Sequence, residues 1–199
     1  MIKISPKYLQ RFLRVLPNIF WPVKYFIINK SLKHAGSNFR FGSDSIFSDH
    51  RLIEIGNNVF MGQRTTISTN VPVKIGSYVM FGPEVMIIGG DHSFKDAGQL
   101  MCNVKTGGIN LPIEIEDDVW IGARCLILKG VKIYEGAVVG AGSLVTKPIL
   151  PYSINIGHPS HFVKCRFSLK ELTYHLQKVN SKYKIDDIIK MYSLSNIDL

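Results

Sequence analysis

The chain has 199 residues, 46% of them hydrophobic, enough for one domain with a sizeable core and appendages. Its three cysteines, Cys102, Cys125 and Cys165, are odd in number and lack C-x-x-C spacing, which argues against a disulfide framework or zinc site and for inert thiols in a reducing, cytoplasmic setting. The formal net charge is +9, but residues 1–43 hold eight basic residues and no acidic one, leaving +1 for the rest; that asymmetry, with no zinc-finger, RNP or basic-zipper pattern, excludes a protein built around nucleic acid.

Residues 1–40 read as a basic, apolar helical segment. Ser5-Pro6 makes an N-cap and first-turn pair, after which Tyr8, Leu9, Phe12, Leu13 and Leu16 recur at helical spacing, with Lys7, Arg11 and Arg14 mostly opposite. Pro17 ends that helix, and a second apolar stretch, Ile19 to Ile28, is interrupted by Pro22 and Lys24. The stretch is too short and too broken to span a bilayer, and no small-residue cleavage site follows it. Two readings stay open: a helical cap packing on the body or on a neighbouring subunit, which is favoured, or a segment lying on an anionic membrane surface.

From Phe41 an aliphatic or aromatic residue returns every sixth place: Phe41, Phe47, then after two-residue slips Ile55, Met61, Ile67 and Ile75, Phe81, Ile87. A six-residue period belongs neither to an α-helix nor to a lone strand, and fixed short periods mark solenoids, whose units bury apolar side chains only by stacking. Between Ile87 and Ile115 the rhythm stops, opening on Gly89-Gly90-Asp91-His92, so residues of about 89–112 form an excursion loop that is the best place for function. The longest run follows: Ile115, Ile121, Ile127, Ile133, Val139, Val145, with the fifth place of each hexad small or branched: Val119, Cys125, Val131, Ala137 and Ser143. Positions 18 apart are expected to stack, Ile115 on Ile133 and Gly122 on Gly140 among them. Thr146, Lys147 and Pro148 are expected to end the run, and Pro151, Gly157 and Pro159 to mark a turn-rich crossing. The repeat domain thus covers 41–165, and 166–199 is a C-terminal helical tail: Ser168-Leu169-Lys170-Glu171 is a capping-box pattern for a helix over about 169–180, with a shorter helix near 186–192.

Gly90-Asp91-His92, Asp118-Val119-Trp120-Ile121-Gly122-Ala123, the run from Val139 to Lys147, and Gly157-His158-Pro159 before Val163-Lys164 together resemble the hexapeptide-repeat acyltransferases, sugar O-acetyltransferase type, close to the galactoside, maltose and xenobiotic acetyltransferases. The resemblance covers roughly Phe41 to Phe167. It implies an all-β solenoid, a left-handed parallel β-helix; acetyl-CoA as co-substrate with no metal; a homotrimer; and a sugar or oligosaccharide acceptor in a surface polysaccharide or its lipid-linked precursor. His92 is the implied general base for direct transfer, since imidazole titrates near the working pH. Asp91, Glu84 and Asp49 are the carboxylates that could orient it. Cofactor positions carry over to Ala123, Gly140, Ala141, Thr146, Lys147 and Lys164, where small residues admit backbone contacts with a pantetheine arm and the lysines meet phosphates. His161 stands where sugar acetyltransferases of this class often have Arg or Lys, and Gly62 where galactoside-type members carry an acceptor-binding asparagine. Trp120 is read either as a wall of the cofactor or acceptor channel or as a ladder aromatic. Alternative readings are an antibiotic O-acetyltransferase, a non-catalytic scaffold and a γ-type carbonic anhydrase, for which His92 lacks partners at the required spacing.

Overall fold

A computed structural model describes residues 21–105 and 107–197, and the helix expected at Ser5–Leu16 lies outside them. Each hexad makes a strand of two to four residues and a tight turn, so the chain winds as a β-solenoid of about six turns with three parallel sheets. At two of the three corners the turn residue has positive φ: Asn38, Asn58, Tyr78, Asp118 and Gly136 at one, Asp44, Arg64, Glu84, Arg124 and Gly142 at the next. A non-glycine residue pays about 1 kcal/mol or more for that conformation. From the second coil on, the cost is offset because the turn residue's N–H reaches the corner carbonyl of the preceding coil, as in Asn58 to Ser37, Tyr78 to Asn57 and Arg64 to Ser43, all 2.8 Å.

The inward residues stack in register as the period predicts. On the first face Ile55, Ile75, Ile115 and Ile133 pair in sequence; on the second, Phe41, Met61, Phe81, Ile121 and Val139; on the third, Phe47, Ile67, Ile87, Ile127 and Val145. The 18-residue stacking of Ile115 on Ile133 is present, and the excursion leaves after Gly89 and rejoins at Ile113 without breaking it. The outward residues differ by face. The first shows Glu54, Lys74, Glu114 and Lys132 in register, alternating in charge, with Lys132 3.0 Å from Glu114. The second shows Phe60, Met80 and Trp120, each about half exposed, and then Val138 and Ile154. The third shows Ile46, Thr66, Met86, Leu126 and Leu144.

Both ends are plugged. Helix α1 (Trp21–Ser31) buries Ile28, with Leu32 just beyond it, against the first coil and stacks Tyr25 on Phe41. Pro22 sits in its first turn, where a missing N–H costs nothing, so it opens this helix and does not interrupt it. Solenoid pairing begins with His34–Ala35, before Phe41, because the small Ala35 hides the first hexad from a search for large aliphatics. Pairing also runs past Pro148: Ile149 bridges to Ile133, and Ser153–Gly157 joins the second sheet before an antiparallel return over Ser160–Cys165. The expected ending was premature because this coil is 16 residues long and places the polar Asn155 opposite Val139. Helices α2 (Leu169–Val179) and α3 (Ile185–Leu194) close that end over Tyr152, Leu172, Leu176, Ile188 and Tyr192. The Ser168–Glu171 capping box is formed. The tail is tied to the solenoid by the buried Glu116, which meets Lys182 at 2.8 Å, Lys132 at 3.1 Å and the Tyr183 hydroxyl at 2.9 Å. Burial alone would raise its pKa; these donors outweigh burial and hold it below the usual range. No helix among the described residues is long and apolar enough to cross a membrane.

Candidate active site

The third-face strand Met86–Gly89 delivers Gly90, Asp91 and His92 to the corner where the excursion leaves. The neck of the excursion is pinched: His92 bridges antiparallel to Gly107, and Gly108 N–H donates to the Asp91 carbonyl at 3.2 Å. Glycine is required at 108, since a Cβ there would lie 2.8 Å from the His92 carbonyl oxygen and 2.9 Å from Asp91 Cβ. One coil further on, after the strand Leu126–Leu128 that pairs with Met86–Gly89, Lys129 reaches back. Its ammonium pairs with the Asp91 carboxylate and donates to the Ile109 carbonyl at 2.9 Å. Asp91 Oδ1 also accepts the His92 backbone N–H at 2.9 Å. The Lys129 hydrogen bond, helped by that N–H, holds the Asp91 carboxyl below its ordinary pKa.

The His92 ring is exposed and makes no hydrogen bond to a described residue. None of the three carboxylates considered for orienting it touches the ring. Asp91 is engaged by Lys129, Glu84 is gripped between Arg64 and Arg124, and Asp49 holds Arg51 at 3.0 Å. An exposed imidazole with both nitrogens available can accept a proton from an incoming hydroxyl, provided its backbone is fixed, and here the pinched neck supplies the fixing.

The cofactor positions fall in three places. Ala123, Gly140 and Ala141 occupy the corner between the second and third faces, where Gly122 backs directly on Ala141: a Cβ at 122 would lie 2.5 Å from the Ala141 nitrogen. The Ala123 carbonyl is taken by Gly142 N–H at 2.8 Å, while the N–H groups of Ala123 and Ala141 donate to no described residue. A narrow edge with two free amide donors suits the carbonyls of a pantetheine arm. Thr146 and Lys147 are exposed just after Leu144–Val145, at the corner of His92 but two coils away. Lys164 is exposed on the hairpin strand Ser160–Cys165, opposite Ile154, and carries no ion pair with a described residue. Within one protomer the structure therefore groups Ala123 with Gly140 and Ala141, but sets His92 across the third face from them.

Other candidates are structural. His50 is held by Ser31 and Phe47, and His161 Nδ1 faces the Pro159 carbonyl at 3.5 Å. Cys125 is buried with its thiol on the Gly140 carbonyl at 3.1 Å, and burial pushes its pKa up. Asp117 accepts Ser77 N–H at 2.6 Å and Asp118 pairs with Arg166 at 2.9 Å, so both shape the corner where the ladder resumes. Trp120 points outward from the second face, about half exposed. Gly62 has no room for a side chain, since a Cβ would lie 2.5 Å from the next coil's backbone. Sequence reasoning missed Lys129 and Gly108, because the excursion separates them from Asp91 in the chain; the only hint was a lysine standing at a corner of the ladder.

Residues 112–147 match the hexapeptide repeat of succinyl-transferase. A chloramphenicol acetyltransferase of Morganella morganii is 42% identical over 74 residues, covering 37% of this chain and 35% of that protein. A maltose O-acetyltransferase from Clostridium difficile superposes with a TM-score of 0.72 at 27% identity, over 81% of this chain and 84% of the other. A galactoside acetyltransferase solved in complex with coenzyme A superposes with a TM-score of 0.64 at 26% identity, over 90% and 85%. The chain spans about half the length of the first curated relatives it matches. The solenoid matches a left-handed parallel β-helix acetyltransferase.

Proposed function

The chain belongs to the hexapeptide-repeat acyltransferases, and from that membership we propose that it is an acetyl-CoA-dependent O-acetyltransferase acting on a hydroxyl of a sugar, in a surface polysaccharide or its lipid-linked precursor. The observation that carries this reading is the pinched neck, which fixes the His92 backbone and leaves its ring unengaged and exposed. In the proposed mechanism His92 takes the proton of the acceptor hydroxyl as that oxygen attacks the thioester carbonyl. The carbon–sulfur bond then breaks and His92 returns the proton to the departing sulfur, so no acyl-enzyme is needed. A backbone N–H beside the glycines at the Ala123 corner is the donor available to the developing oxyanion. Lys147 and Lys164, both exposed, are the cations available to phosphates.

A sugar acceptor is supported by the maltose and galactoside acetyltransferases among the similar structures. The similarity to a chloramphenicol acetyltransferase favours a second reading, transfer to a hydroxylated antibiotic. Self-association is supported by the outward second face, where the exposed stripe of Phe60, Met80 and Trp120 calls for a partner; three copies is the number the family resemblance implies. Turnover of acetyl-CoA against a panel of nucleotide sugars, oligosaccharides and chloramphenicol tests the assignment. His92→Ala is expected to lower it by about 10²-fold or more while acetyl-CoA still binds; a variant with near-normal activity would remove His92 from the reaction.

A further inference from the structure

The neck of the excursion holds an ion pair that the mechanism above does not use. Lys129 projects from the coil after the one that carries His92, and its ammonium grips both sides of the neck, the Asp91 carboxylate and the Ile109 carbonyl. The same carboxylate receives the His92 N–H at 2.9 Å. A continuous path of contacts therefore runs from the solenoid wall, through Lys129 and Asp91, to the main chain of His92. Lys129 and Asp91 have side chains 24% and 31% exposed, so the pair is shielded on most sides and screened less than a surface pair. Asp91 makes its hydrogen bond to the His92 main chain and none to the imidazole, so it bears on where the ring's backbone stands.

We propose that Lys129 is a positioning residue for His92, acting through Asp91 to lock the neck of the excursion onto the solenoid wall. The proposal rests on the reading of His92 as general base. Without the ammonium, Asp91 repels nothing but loses its tether, the 91–92 and 107–109 segments part, and the ring samples positions away from the acceptor oxygen. Small displacements of a catalytic group cost large factors in rate and leave the donor's binding surface at the Ala123 corner untouched.

Two measurements on the full-length protein separate this proposal from the functional reading. In amide hydrogen exchange, Lys129→Met, which keeps the aliphatic stem, is expected to raise the exchange rate at His92 by about tenfold or more, with the core strands unchanged. In kinetics, kcat is expected to fall about tenfold or more with the KM for acetyl-CoA unchanged, and Lys129→Arg to stay within about threefold of the natural chain. Asp91→Asn combined with Lys129→Met should cost no more than the worse single change, because the pair acts as a unit. Unchanged exchange at His92 in Lys129→Met overturns the proposal, as do multiplying losses in the double variant. If the natural chain turns over no acceptor, the functional reading fails and the exchange measurement alone decides the role of Lys129.

Discussion

A methyl group at Gly108 would press on the His92 carbonyl and on Asp91 Cβ, atoms of a pinched backbone that cannot rotate away. Overpacking of this kind costs about 1–3 kcal/mol where it occurs. Here it falls on the excursion and not on the core, so Gly108→Ala is expected to lower kcat by about 10²-fold while the melting temperature moves by less than about 3 °C. Steady-state kinetics beside calorimetry checks both halves; a variant that melts early yet turns over normally would show that the neck serves stability alone. At this scale the sequence was informative where chemistry and pattern coincide. His92 stands out because a histidine follows a glycine pair at the end of a regular repeat. The residues that hold it do not, because Lys129 and Gly108 meet Asp91 only once the excursion has folded back.

The capping elements carry the pH dependence. His50 lies under α1 with its Nε2–H donating to the Phe47 carbonyl at 3.1 Å; a carbonyl can only accept, so in the neutral ring Nδ1 is an acceptor, 2.6 Å from the Ser31 hydroxyl, whose one proton it shares with the Ile28 carbonyl at 2.9 Å. Burial holds its pKa below the ordinary histidine value, with the Phe47 carbonyl and Asp49 pulling the other way. The unfolded chain titrates near pH 6.5, so below about pH 6.5 it binds a proton that the folded state resists, and stability falls with pH until the folded pKa is reached. His50→Gln has no such proton to take up. The natural chain is expected to lead the variant by about 1–2 kcal/mol at pH 7.5, and the gap should narrow as the pH falls below about 6.5, as thermal melts at pH 7.5 and in mild acid will read. A gap that widens in acid would mean that the ring is charged in the folded state. The capping elements were also where sequence reading lost accuracy. Pro22 signals a break in a pattern but is a start in the helix, Ala35 is too small to register as a rung, and Asn155 is a polar residue in an apolar rung. Each is legible only against the neighbour it packs on.

The period of six located the rungs and the stacking of coils, because burial of one residue per hexad is a local demand repeated along the chain. It could not say which outer faces stay wet. That follows from the residues between the rungs, whose register shows charges alternating on the first face and apolar side chains lining the second and third. Geometry adds a reason for assembly. On the third face the chain runs from the Ala123 corner to the His92 corner through about five residues, roughly 17 Å at about 3.3 Å per residue. On the proposed assignment, a thioester held at Ala123 and Ala141 stands a full face away from the histidine of its own protomer. A second copy packed on an apolar face can bring its His92 corner to that edge, so assembly and turnover should fail together. Trp120→Glu places a charge in the middle of the second-face stripe and is expected to reduce the mass by light scattering from the proposed three copies to one and abolish turnover, with the circular dichroism of the solenoid preserved. Lys74→Gln, on the charged first face, should change neither. If Trp120→Glu keeps both the assembled mass and the activity, the second face is not the contact, and the stripe of Phe60, Met80 and Trp120 must be explained without a partner copy.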